Sequence, residues 1–315
     1  LPLYEGKMIW QFDAFYEKPQ YWISLKLVLK RLADKNAPTF PRSTYRAIAS
    51  NTNERTLISC ILPAFSLKSP GCGHSLNSIT INGQDSSEHF FFNAVFNSYV
   101  IDFVTRQKVT TNLTMFYLYQ LPIPRLTSGN WFFDQIVPRA ARLICIDEEF
   151  AELWEETFKP EWREIAKTSK VRGWESLTEK WTPECGVYGW VYINNEKRDD
   201  GDRAQLRAEI DALVAHLYGL TKDEFAYILD TFPVFRRKEE EAFGEFRTKR
   251  MCLEEYDRFT AIIKEEKKKH LEKFDLSRFK KSYVESGKKP AFQAAFTMDG
   301  KIIKLKTLDP FIDQG

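Results

Sequence analysis

Apolar residues recur every three or four positions from Tyr21 to Asp34, where Trp22, Leu25, Val28, Leu29 and Leu32 lie opposite Lys26, Lys30 and Arg31. That spacing predicts an amphipathic helix that stops before Pro38. The period then shortens. Tyr45 to Ser50 and Thr56 to Leu62 read as a strand pair around the turn Asn51-Thr52-Asn53-Glu54, with Pro63 ending the second run. Residues 66–87 are rich in Ser, Gly and Asn and read as a long surface loop or irregular hairpin around Ile79 to Ile81. From Ser87 to Val109, Phe91, Ala94, Val95, Tyr99, Phe103 and Val104 mark one largely buried helix, followed by a stiff exit at Leu121-Pro122-Ile123-Pro124.

Beyond Pro124 the pattern is mainly helical. Helices are predicted over Trp131–Cys145, Glu148–Phe158, Arg203–Tyr218, Lys222–Leu229 and Glu239 to about His270, with a capping box at Thr221 and Glu224 and a helix-ending glycine at Gly219. Pro290 to Gly315 reads as a hairpin tail turning at Asp299-Gly300. The expected organisation is an α+β chain: a mixed α/β domain at 1–126, a helical domain at 127–275 and a tail at 276–315.

The 315 residues can bury a sizeable core, and with 43% hydrophobic and 29% charged residues the composition excludes global disorder. No apolar run is long enough for a membrane span and the amino terminus has no secretory pattern, so a cytoplasmic protein without a membrane partner is expected. Cys60, Cys72, Cys145, Cys185 and Cys252 are odd in number and never spaced C-x-x-C, which predicts reduced, mostly buried thiols. The net charge of +2 conceals an asymmetry: residues 1–126 hold 13 Lys/Arg against 8 Asp/Glu, and residues 127–315 hold 33 against 36. A basic first part is compatible with a polyanionic partner. The chain begins at Leu1, which reads as a piece of a longer polypeptide.

Motifs for common enzyme chemistry are missing. There is no G-x-x-x-x-G-K phosphate loop, no H-E-x-x-H pair and no G-x-S-x-G elbow, and the four histidines are scattered. Cys60, Cys72 and His74 fit no common zinc spacing, and Glu265-Glu266-Lys267 lies in a helical charge run. The remaining polar set on or near loops of the first part is Arg42, Arg46, Asn51, Asn53, Arg55, Lys68, His74, Asn77, Asn82, Arg106, Lys108 and Asn112. Arg reads guanine bidentately, Asn reads adenine and Lys holds phosphate, so this set has chemistry suited to duplex DNA. The alternative is structural: Arg55 or Arg106 pairing with Glu54, Asp102 or Glu88.

An ordered series of short motifs carries a resemblance. Leu3-Tyr4-Glu5-Gly6-Lys7-Met8-Ile9, Gln11-Phe12-Asp13, Tyr45-Arg46 and Ala49-Ser50-Asn51-Thr52-Asn53-Glu54-Arg55-Thr56 are followed by Ile61-Leu62-Pro63. Phe96-Asn97-Ser98-Tyr99, Arg106-Gln107-Lys108-Val109, Asn112-Leu113 and Leu121-Pro122-Ile123-Pro124 continue it, and Ile210 to Val214, Leu217 to Leu220 and Tyr227 to Pro233 extend it. Together they resemble the target recognition region, and the helical region after it, of large adenine-specific DNA methyltransferases, a family that includes single-chain restriction-modification enzymes and phage-defence methylases. In that family an amino-terminal domain binds S-adenosylmethionine and carries an Asn-Pro-Pro-Tyr type motif. No Asn here is followed by Pro-Pro.

The resemblance implies a DNA recognition module without a catalytic half, with no cofactor in this chain and S-adenosylmethionine in the missing domain. The implied partners are double-stranded DNA and the parent's amino-terminal methyltransferase domain. The turn at 52–55 and the exit at 106–112 are expected to shape the domain or hold phosphates, and the loop at 66–87 to read bases. The other expectation is a protein-interaction scaffold that reads no DNA.

Overall fold

Near the amino terminus, backbone pairing displaces the start of the predicted helix. Tyr21–Trp22 (β2) pairs antiparallel with Pro2–Tyr4 (β1), which pairs parallel on its other side with Gly71–Cys72 (β5). Aromatic residues suit a pleated ladder, and the Leu1 ammonium closes this one by donating to the Ile23 carbonyl at 3.0 Å. The computed structural model describes residues 1–24, 26–27, 42–63, 70–79, 81, 85–109, 111–193 and 195–273, with the backbone of 293–298 and 301–306. The remainder of the expected helix to Asp34 lies mostly outside the described residues, as do Lys68 and Asn82.

The predicted strand pair is present but shifted. Arg42–Arg46 (β3) pairs antiparallel with Ser59–Leu62 (β4), and Leu76–Ile79 (β6), from the expected loop, joins the other side of β3. Thr56 and Leu57 leave the ladder because their N–H groups donate to the Asp102 carboxylate at 3.2–3.3 Å. The long helix expected from Ser87 is two helices, Ser87–Phe96 (α1) and Tyr99–Arg106 (α2). Asn97 causes the break by pairing its side chain with both backbone groups of Ser59, at 2.9 Å each, while Ser98 turns extended and caps α2.

A short helix, Met115–Leu118 (α3), leads to the helical part: Trp131–Ile144 (α4), Ala151–Thr157 (α5), Gly201–Leu217 (α6) and Lys222–Asp230 (α7). The predicted helix from Glu239 is two elements, Pro233–Phe243 (α8) and Arg247–Lys273 (α9). Gly244 ends α8 in a left-handed conformation with φ 74°, and the Glu239 carboxylate then accepts from Thr248 N–H at 2.7 Å in the first turn of α9. A hairpin of Trp190–Ile193 (β7) and Glu196–Asp199 (β8) was not predicted; the β-favouring run Trp-Val-Tyr-Ile before Asn-Asn was its signal. The tail hairpin is present as Gln293–Met298 (β9) against Lys301–Lys306 (β10).

The fold is α+β, with small sheets in the first part and helices dominating afterwards. One hydrophobic core extends from Tyr4 to Phe259 and passes across the expected boundary at 126–127. Ion pairs cross it too: β8 Arg198 meets Glu54 at 2.8 Å, and Lys197 meets Asp13 at 2.6 Å. Among the described residues no helix is long and apolar enough to cross a membrane.

Candidate nucleic-acid interface

The segment after α2 lies along the connection between β3 and β4. Ala49 N–H donates to the Thr111 carbonyl at 3.0 Å and Leu113 N–H to the Ala47 carbonyl at 2.8 Å, so Ile48 and Asn112 face each other in an isolated bridge. Buried Val109, Leu113, Leu118 and Leu121 anchor this segment from below. On the other side Ala47 N–H donates to the Ser75 carbonyl at 3.0 Å, bringing up the turn that holds exposed His74. Gly6 makes that approach possible, since a Cβ there would stand 2.7 Å from the Ser75 carbonyl oxygen. Three sequence-distant loops therefore share one edge.

The candidate residues divide on this edge by what their side chains touch. Arg55 is 1% exposed; its Nε donates to Asp102 at 2.7 Å, its Nη2 to the Asn97 carbonyl at 2.6 Å, and its guanidinium lies 3.9 Å from the Tyr99 ring centre. Burial is the largest single influence on its pKa and lowers it, but the charge and hydrogen bond of Asp102 together with Tyr99 and Asp211 outweigh burial and raise it. Arg106 is buried across the Phe232 ring and donates to the Asn51 and Asn53 carbonyls at 2.6–3.1 Å. Arg42 is buried and donates to the Pro70 carbonyl at 3.0 Å, and half-buried Arg46 donates to the Ile9 carbonyl at 2.5 Å over the Trp10 ring. These four arginines, expected at the DNA, are internal ties. Arg55 takes the ion pair with Asp102 that was its structural alternative.

The surface keeps the amides. Asn51, Asn53 and Asn112 are exposed, and Lys108 lies half-buried with its Nζ 3.3 Å from Gln120 Oε1. Asn77 donates to the Tyr45 hydroxyl at 3.1 Å, and that hydroxyl donates to the Met115 sulfur at 3.5 Å, so β6, β3 and α3 are tied in one line. Burial pushes the Tyr45 pKa up, against the Asn77 hydrogen bond, so this hydroxyl stays protonated at neutral pH.

Sequence reading missed the aromatic component. Phe116 is 70% exposed, Tyr119 80% and Ile48 62%, with Met115 also exposed. Leaving such a ring in water forgoes roughly 1.5–3 kcal/mol relative to burial. Charge reinforces the pattern. Residues 42–53, 71–79 and 103–133 contain no Asp or Glu, while Glu54 at the margin is neutralised by Arg198 at 2.8 Å and Lys238 at 2.9 Å. The three segments therefore offer a polyanion amides, a lysine and rings and add no carboxylate of their own; Glu5, beside Gly73 and paired with Lys7 at 3.5 Å, stands at one end of the edge.

A second polar feature is a cleft of about 50 Å³ whose lining includes Tyr99, Arg207, Asp211, Glu239, Arg247 and Thr248. Most of its charges pair within the chain: Arg207 with Asp199 at 2.6 Å, Arg247 with Asp200 at 2.5 Å, and Glu239 with Thr248. It braces the β7–β8 hairpin against the helices. Among the described residues no group of three or more His, Cys, Asp or Glu is arranged to hold a metal ion.

Compared with known proteins, the chain matches no family model, no curated protein and no solved structure.

Proposed function

We propose that this chain is the DNA sequence recognition module of a cytoplasmic adenine-specific DNA methyltransferase of the restriction-modification or phage-defence type. In this reading it meets duplex DNA through the edge formed by residues 47–53, 74–77, 108–109 and 111–119. The observation that carries the proposal is the gathering of exposed Asn51, Asn53 and Asn112 with half-buried Lys108 on a surface whose three segments hold no carboxylate. Amides on base edges supply selectivity, lysine and backbone groups supply grip, and the internal arginines hold the loops that present them. The chemistry of methyl transfer belongs to the amino-terminal domain of the parent, which binds S-adenosylmethionine. This chain alone neither binds that cofactor nor methylates DNA.

The test is a fluorescence-anisotropy titration of the full chain with labelled random duplex. Binding is expected at low salt, falling with log salt at a slope of about −0.9 per neutralised phosphate, with only a few phosphates involved. Absence of binding at low salt, or affinity independent of salt, refutes the proposal. The exposed Ile48, Met115 and Phe116 favour a second reading, contact with a partner subunit, which predicts no DNA binding in the same titration.

A further inference from the structure

Helix α3 is turned inside out. Met115, Phe116 and Tyr119 lie on one face by their three- and four-residue spacing, and that face points to solvent, while Leu118 and the following Leu121 point into the core. The turn is held in place: Tyr119 N–H donates to the Met115 carbonyl at 3.0 Å, Leu121 N–H to the Leu118 carbonyl at 3.1 Å, and the Tyr45 hydroxyl reaches the Met115 sulfur. Two large rings are thus displayed on an anchored platform. Lys108 and Gln120 flank them on one side, and the Asn112–Ile48 bridge precedes them in the chain.

We propose that Phe116 and Tyr119 form a stacking platform for an unstacked base, so that this edge prefers DNA containing an unpaired nucleotide over perfect duplex. The inference rests on the DNA-binding reading given above. Perfect duplex offers phosphates and groove edges, which the amides and Lys108 can meet, but it hides the faces of its bases. In the groove of perfect duplex a ring can meet only a thymine methyl, whereas it can cover a whole base face once that base is unstacked, and stacking tolerates any base because each has a π-face. Residues 103–133, which carry the rings, hold no carboxylate, and Lys108 beside Gln120 matches the charge of the strand that carries such a base.

The experiment compares the affinity of the full chain, at low salt, for a duplex and for the same duplex carrying one unpaired nucleotide. The wild-type chain is expected to prefer the interrupted duplex by about tenfold, within the range that base–aromatic stacking spans. F116A/Y119A is expected to lose that preference while keeping salt-dependent binding to perfect duplex. F116Y/Y119F is expected to retain the preference. A thermal melt checks that the Ala variant folds as the wild type does. Equal wild-type affinity for the two probes, or a preference that survives in F116A/Y119A, overturns the platform and leaves the DNA-binding reading standing. Absence of binding to both probes overturns both, and self-association lost in F116A/Y119A would then assign the rings to protein contact.

Discussion

Arg55 and Asp102 stand 47 positions apart in the chain and meet at 2.7 Å, with both side chains withdrawn from solvent. The same carboxylate accepts from the backbone N–H groups of Thr56 and Leu57, so one ion pair fixes α2 and the approach to β4 together. The Tyr99 ring covers the guanidinium.

Arg55→Ala leaves the Asp102 charge buried without its counterion, and its expected cost is about 3–5 kcal/mol. Arg55→Met with Asp102→Asn should cost less than the sum of the two single changes, because no lone charge remains. Urea unfolding of the four chains measures this; strict additivity would contradict it.

Arg106 and Lys108 should separate cleanly. Arg106 holds the Asn51 and Asn53 carbonyls from a buried position. Arg106→Ala should therefore lower stability by about 1–3 kcal/mol while leaving the salt slope of DNA binding unchanged. Lys108→Ala should reduce that slope by roughly one unit with little effect on stability. The opposite pattern would return Arg106 to the DNA.

Asp211 on α6 accepts from Tyr99 N–H at 2.8 Å, and burial pushes its pKa up to about 6 against the opposing effects of Arg55, that hydrogen bond and Arg207. A carboxyl whose pKa is higher in the folded than in the unfolded chain binds its proton more tightly when folded. The stability it contributes is therefore complete below about pH 4 and is lost as pH rises through about 6. Asp211→Asn keeps the acceptor and removes the titration. Over that interval the wild type should lose roughly 1–3 kcal/mol more than the variant, measured by denaturant unfolding at stepped pH. Parallel profiles would contradict the assignment.

All five cysteines are free, with Cys60, Cys145, Cys185 and Cys252 buried and Cys72 partly exposed. Burial raises the pKa of the Cys60, Cys145 and Cys252 thiols and also that of Cys72, against the opposing effect of Arg42, so it is access rather than ionisation that sets Cys72 apart. A thiol reagent should modify Cys72 first and the others only on unfolding, and Cys72→Ser should abolish the native-state reaction. Rapid labelling of several thiols in the folded chain would contradict this.

Gly244 has φ 74° and nothing near its Cα that a methyl group would strike. Gly244→Ala should therefore cost about 1 kcal/mol through backbone conformation alone, and Gly244→Asn less. A thermal melt comparing the two variants tests the order.

Periodicity determined the elements whose stability is local: the helices around Trp131–Ile144, Gly201–Leu217 and Lys222–Asp230, the Thr221–Glu224 cap, and the tail hairpin. Residue chemistry also marked the Asn51, Asn53, Lys108 and Asn112 loops that share the exposed edge. Tertiary structure decided where a local preference met a distant partner. Asn97 broke a continuous apolar pattern by pairing with Ser59, and Asp102 drew Thr56 and Leu57 out of their strand. Gly71–Cys72 and Leu76–Ile79 became strands because β1 and β3 supplied edges for them. Whether an arginine stays at the surface or becomes an internal tie depends on contacts 40 or more residues away, as for Arg55 with the Asp102 carboxylate and Arg106 with the Asn51 carbonyl. Residue type fixes what a side chain can bind; packing of the whole chain fixes which partner it meets and which rings remain in water.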